Sequence, residues 1–183
     1  PVEIGREIAA DIGVTHYEPP LAQELHAKGT LPFGIGKTDE CRLEALDVVP
    51  WGELVDVSLK VDGKSTSFYW HVDEDGVEHR GVLGRTLEYD TDAINDYTQN
   101  AANLDVLNKL SYFCRKRGLR SICVRGESYG RKIQAAKNNP HSQLNLGWAF
   151  FSTYLPGEHR YARNSDPLYY LNIAEELGLP TVP

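Results

Sequence analysis

Two Asp-Gly steps, Asp62-Gly63 and Asp75-Gly76, sit inside a stretch that alternates apolar and polar residues. Asp-Gly supplies the positive backbone angles of a tight hairpin turn, and such a turn joins only antiparallel neighbours. Val55, Val57 and Leu59 alternate before the first step, so strands are predicted over 53–60, 65–72 and 77–84. Downstream, Leu104, Leu107, Leu110 and Cys114 form one stripe of a helix over 92–117, with Gly118 as its stop. Strands follow over 119–127 and 144–155. A last helix is expected with Ser165 or Asp166 as its cap, Pro167 at its first position and Gly178 past its end. Upstream, a short helix is expected over 2–12, a Gly- and Pro-rich loop over 27–37, and a helix over 39–46 capped by Thr38. Strands and helices mix without a β-α-β rhythm. The predicted class is therefore α+β, mostly antiparallel sheet with flanking helices.

The chain has 183 residues, enough for one domain with a real core. No apolar run is long enough to span a bilayer and no signal peptide is visible, so no membrane partner is expected. Cys41, Cys114 and Cys123 lie far apart and are odd in number, which favours a reducing, cytoplasmic compartment. The six histidines show no zinc spacing. Methionine is absent even from position 1, which reads as a processed or excised chain. The net charge of −7 argues against indiscriminate nucleic-acid binding. The segment from Lys109 to Lys137, however, holds nine basic residues with Glu127 as the one acid among them. It reads either as a solvated helix end or as a local phosphate-binding surface.

Four segments carry the chemistry. They are K-V-D-G-K-S at 60–65, G-V-L-G-R-T-L-E-Y at 81–89, V-R-G-E-S-Y-G-R-K-I-Q at 124–134 and L-G-W-A-F-F-S-T-Y-L at 146–155. In this order they resemble nucleotidyltransferase motifs I, Ia, III and IIIa of the ATP-dependent RNA ligases, relatives of DNA ligases and mRNA capping enzymes. T-H-Y-E-P-P at 15–20 and K-T-D-E at 37–40 resemble the lead-in of one RNA-ligase branch. The resemblance implies a nucleotidyltransferase core of ligase-adenylation, ATP-grasp-like type. It implies a lead-in over 1–50 and motifs I to IIIa over 51–183.

The resemblance also implies roles. Lys60 would attack the α-phosphate of ATP and carry AMP. An amine with an ordinary pKa of about 10.4 needs burial or neighbouring cations to attack at neutral pH. Lys60 is expected to end an apolar strand, with Lys64 close by and Asp62 opposing. Gly63 would let backbone approach phosphate closely. Arg85 would contact the nucleotide or the 3′-OH strand with a planar, permanently charged fork. Glu127 would accept hydrogen bonds from ribose hydroxyls. The stacking aromatic aligns best with Phe150, with Trp148 on the same face by alternation and Phe151 on the other. Phe151 stands where family members often carry an acid or amide. Ser58 would meet the adenine edge, and Leu59 replaces a glutamate common in RNA ligases. Mg²⁺ or Mn²⁺ is implied, with no residue assigned to it. RNA with 5′-phosphate and 3′-OH ends is the implied partner, met through the basic segment Lys109 to Lys137.

Two motifs of the resembling family are not found. One is an E-G-φ-V strand and the other a K-x-K strand whose lysines hold the α-phosphate. The chain therefore reads as the front part of a nucleotidyltransferase domain, expected to adenylylate itself barely in isolation. The alternatives are a non-catalytic nucleic-acid-binding module built on this fold, a DNA ligase or a capping enzyme.

Overall fold

The computed structural model describes residues 26–37, 51–52, 55, 57–131, 133–134 and 138–183. The expected helices over 2–12 and 39–46, and the lead-in at 15–20, lie outside these residues. Seven strands form one antiparallel sheet: β1 Ala27–Thr30, β2 Lys64–Val72, β3 Glu78–Leu83, β4 Leu87–Tyr89, β5 Ser121–Tyr129, β6 Gly147–Leu155 and β7 Arg160–Tyr161. Their spatial order is β1-β4-β3-β2-β5-β6-β7. Among the described residues the helices are α1 Asp96–Leu104, α2 Val106–Arg117 and α3 Tyr170–Leu177. The α+β, antiparallel expectation holds.

Alternation along the long central strands gives the sheet two different faces. Phe68 and Trp70 of β2, Ile122 and Val124 of β5, and Trp148 and Phe150 of β6 pack into one core. Leu110, Phe113 and Cys114 of α2 and Ile173 of α3 close it from above. Trp148 is tied in further, since its indole Nε1 donates to the Thr66 carbonyl at 2.9 Å. On the other face Tyr69, Leu83, Cys123 and Tyr154 meet Ile35, with Leu31 and Phe33 packed alongside, so the loop 31–37 lies across the sheet.

Local chemistry decided several boundaries. The helix expected over 92–117 is two helices. Asp105 adopts left-handed φ 50° and ψ 31° between them. A short polar side chain tolerates that conformation better than most. Asn95, not a residue near 92, caps α1, sharing a reciprocal capping box with Thr98. Gly118 ends α2 and Gly178 ends α3, as expected. The α3 start was misplaced. Asp166 spends its carboxylate on the Arg163 amide and on Arg160, both at 2.6 Å, so the helix begins at Tyr170. The second Asp-Gly turn joins β2 to β3, with Gly76 at φ 80°. The first joins no hairpin. Residues 57–62 belong to no strand, and the Leu59 amide donates to the Pro183 carbonyl at 2.8 Å. β1, β4 and β7 are too short to show a period and were not anticipated.

Candidate functional site

The segment from Lys60 to Gly63 lies against the end of β5, with Gly63 beside Glu127 and Ser128. Val61 and Gly63 are buried and Lys60 and Asp62 are exposed. Val61 clusters with Ala149 and Val182, with Phe151 packed against them. Gly63 lies so close to β5 that a Cβ on it would sit 2.1 Å from the Ser128 carbonyl oxygen and 3.0 Å from Glu127 Cγ. Only glycine fits there. Ala149 is the cross-strand partner of Glu127, and Ser65 of β2 is its partner on the other side. Gly63 and Glu127 thus meet at one end of β5, Phe151 packs on the neighbouring cluster of Val61 and Ala149, and Lys60 and Asp62 are the exposed residues of the same short segment.

Two residues hold this segment that the sequence reading had not singled out. Asn139, buried, donates to the Asp62 carbonyl at 3.2 Å and to the Gln134 carbonyl at 3.1 Å. Its side-chain oxygen accepts from the His141 amide at 2.8 Å, opening a 3₁₀ turn over Pro140–Gln143. The Asp62 amide in turn donates to His141 Nδ1 at 3.3 Å. The Asn-Pro step at 139–140 was the available signal, because Asn before Pro favours turn initiation.

Several expectations are corrected. Lys60 ends no strand and is exposed. Ser58 is likewise exposed and outside any strand. Lys64 does not serve Lys60. It turns to the helix side, pairs with Asp96 at 2.8 Å and lies 4.1 Å from the centre of the Tyr97 ring. Trp148 and Phe150 are 1 % and 0 % exposed and belong to the helix-side core, so neither presents a face to a nucleotide. Their alternation was read correctly, but the opposite face is the one that carries Glu127. Phe151 lies there, at a bulge where Arg125 pairs Ser152 while Gly126 pairs Phe150. Bulges re-aim side chains in this way.

Arg85 is exposed and lines a narrow crevice with Gly36, Ser67 and Arg125. Arg125 itself is buried on the Glu127 face.

Three cations of the basic segment are engaged within the fold. Arg115 binds Glu78, Arg117 binds Glu176, and Arg120 donates to the Val72 and Asp73 carbonyls. Glu78 is held below the usual carboxylate range by its hydrogen bonds from Arg115. Lys132 and Lys137 lie outside the described residues. Among the described residues no cluster of His, Cys, Asp and Glu is grouped to hold a metal ion, and no helix is long and apolar enough to cross a membrane.

Compared by shape, the chain is similar to solved structures of an RNA ligase from Naegleria gruberi. A variant of that enzyme with ATP and Mn matches at TM-score 0.69 and 23 % identity, over 100 % of this chain and 52 % of that one. The structure with pyrophosphate matches at TM-score 0.68 and 24 % identity, over 99 % and 52 %. A variant with AMP and Mn gives TM-score 0.68 and 23 % identity over the same shares. Likeness at this identity shows a shared fold, and this chain spans about half the length of those structures, 52 %. By sequence, no family model and no characterised protein matches the chain.

Proposed function

We propose that this chain is the nucleotide-binding part of an ATP-dependent RNA ligase, with Lys60 as the residue that takes AMP. One observation carries the reading: Gly63 is packed directly on Glu127 and Ser128, which brings the lysine segment to the expected ribose-binding carboxylate. Two further facts support it. The structural neighbours are RNA ligases solved with ATP, AMP and pyrophosphate. Variants among them replace a lysine and an aspartate two positions apart, the spacing of Lys60 and Asp62.

In this reading the neutral Lys60 amine attacks the α-phosphorus of ATP. A P–N bond forms, the bond to the bridging oxygen breaks, and pyrophosphate leaves with the electron pair while the amine proton passes to solvent. A 5′-phosphate oxygen of RNA then displaces the lysine, which takes a proton back. Finally the 3′-OH attacks that phosphate, its proton passes to solvent, the bond from this phosphorus to the AMP oxygen breaks, and AMP departs with the electron pair. Glu127 orients the ribose as an acceptor, Phe151 replaces Phe150 and Trp148 as the base-stacking ring, and Arg85 meets the nucleotide or the acceptor strand. The cradle fits such a substrate: backbone without a Cβ at Gly63, a carboxylate at Glu127 and an aromatic at Phe151. Asp62 is the carboxylate that would face a bound Mg²⁺ or Mn²⁺, which would supply positive charge against the departing pyrophosphate.

The test is covalent labelling. The protein as its gene encodes it, incubated with α-labelled ATP and Mn²⁺ and then denatured, retains label; Lys60→Ala and Lys60→Arg do not. Label persisting in Lys60→Ala removes the nucleophile and the reading with it.

A further inference from the structure

The face that carries Glu127 also holds a full charge that no carboxylate among the described residues pairs with. Arg125 of β5 is 2 % exposed. Its Nη2 donates to the Gly36 carbonyl at 2.8 Å, and its guanidinium lies 4.7 Å from the Tyr154 ring centre and 5.2 Å from that of Tyr161. Its Nε is buried with no hydrogen-bond partner, and so is the hydroxyl of Ser152, its cross-strand partner on β6. Arg125 also lines the crevice that holds Ser67 and Arg85.

This arrangement is costly. A buried charge without a counter-ion loses its hydration, and an apolar side chain of similar volume in its place generally leaves a fold as stable or more so. Packing alone would therefore favour methionine between the two tyrosines. The position of the charge suggests what offsets the cost. Arg125 stands two residues before Glu127 on the same strand and the same face, about 7 Å away along the pleat. At about 10 Å through partly buried surroundings a unit charge still acts on an anion with useful strength.

We infer that Arg125 is a positioning residue of the nucleotide site. It supplies a fixed positive charge for the phosphates of the bound nucleotide and, through Gly36, pins the loop 31–37 beside them. It does not touch the nucleotide. The inference rests on the proposed reading of this face as the ATP site.

The test is a set of titrations with ATP, AMP and adenosine on wild type, Arg125→Met and Arg125→Lys, each paired with a thermal melt. The expected result is a split. Arg125→Met melts at or above the wild-type temperature yet binds ATP on the order of threefold to tenfold more weakly. The loss is smaller for AMP and absent for adenosine, and Arg125→Lys recovers most of the ATP affinity. A Met variant that fails to fold, or that melts lower while binding ATP normally, overturns the inference. So does an equal loss for adenosine, or a Lys variant as weak as Met. If those results come with Lys60-dependent labelling intact, only the inference falls. A wild-type protein that binds none of the three probes removes the proposed function as well.

Discussion

The two faces of the sheet are made from the same strands and follow opposite rules. On the helix side, Phe68, Val124, Trp148 and Phe150 are dry, and the indole nitrogen of Trp148 is satisfied by a carbonyl. On the other side the same strands present Ser65, Ser67, Arg125 and Glu127, and the loop 31–37 supplies the apolar cover. The helix face spends its residues on stability. Unpartnered buried polar atoms occur on both faces, Trp70 Nε1 and Thr153 Oγ1 on the helix side and Arg125 Nε and Ser152 Oγ on the other; what sets the opposite face apart is the buried full charge of Arg125, and one register step separates the two uses.

The largest effect should come from breaking the helix face. Phe150→Ala empties a fully buried site packed on Trp148 at 5.5 Å between ring centres and edge-on to Tyr170. A loss of about 3–5 kcal/mol is expected in denaturant unfolding. A loss under about 1 kcal/mol would mean the ring is not core, and would return it to the list of nucleotide contacts.

Next comes the joint between the lysine segment and β5. Gly63→Ala places a methyl group 2.1 Å from a backbone oxygen, which the segment can avoid only by lifting away from Glu127. ATP affinity should fall about tenfold or more, since overpacking of this kind costs about 1–3 kcal/mol. Unchanged affinity would separate Gly63 from the site.

A smaller effect concerns the loop across the open face. Phe33 stacks on His71 at 4.1 Å, and burial, then the nearby His79, holds the His71 imidazole below its ordinary value of 6.5. The fold thus favours neutral His71. Its contribution to stability is complete above about pH 6.5 and declines as pH falls below that. Hydrogen exchange of residues 31–37 should therefore speed up on acidification from pH 7 to pH 5.5, and His71→Phe should flatten that response.

Much of this was legible in the residues. Hairpin chemistry at Asp75-Gly76, the apolar stripe of α2 and the caps at Gly118 and Gly178 are local signals, and local signals survive folding. The site was legible only in outline. Alternation correctly separated Phe150 from Phe151, but nothing in one strand says which face is covered by helices; that depends on α2 and α3 packing from elsewhere. Lys64 looked like a partner of Lys60 because it is near in sequence, yet the pleat sends it to Asp96 and Tyr97. Within the charge run from Lys109, Arg115 and Arg117 pair with acids remote in the chain, Glu78 and Glu176, and no linear pattern reveals such pairing.

The central claim is that the nucleotide lies on the face of Glu127 and Phe151. Calorimetric titration of ATP into Phe151→Ala and Phe150→Leu, side by side, tests it most directly. Phe151→Ala should remain folded and bind ATP about tenfold more weakly, as lost base stacking of about 1–3 kcal/mol implies. Phe150→Leu should be less stable, while its folded fraction binds ATP with wild-type affinity. Weakened binding in Phe150→Leu, with Phe151→Ala unaffected, would place the nucleotide on the other side of the sheet and contradict the account.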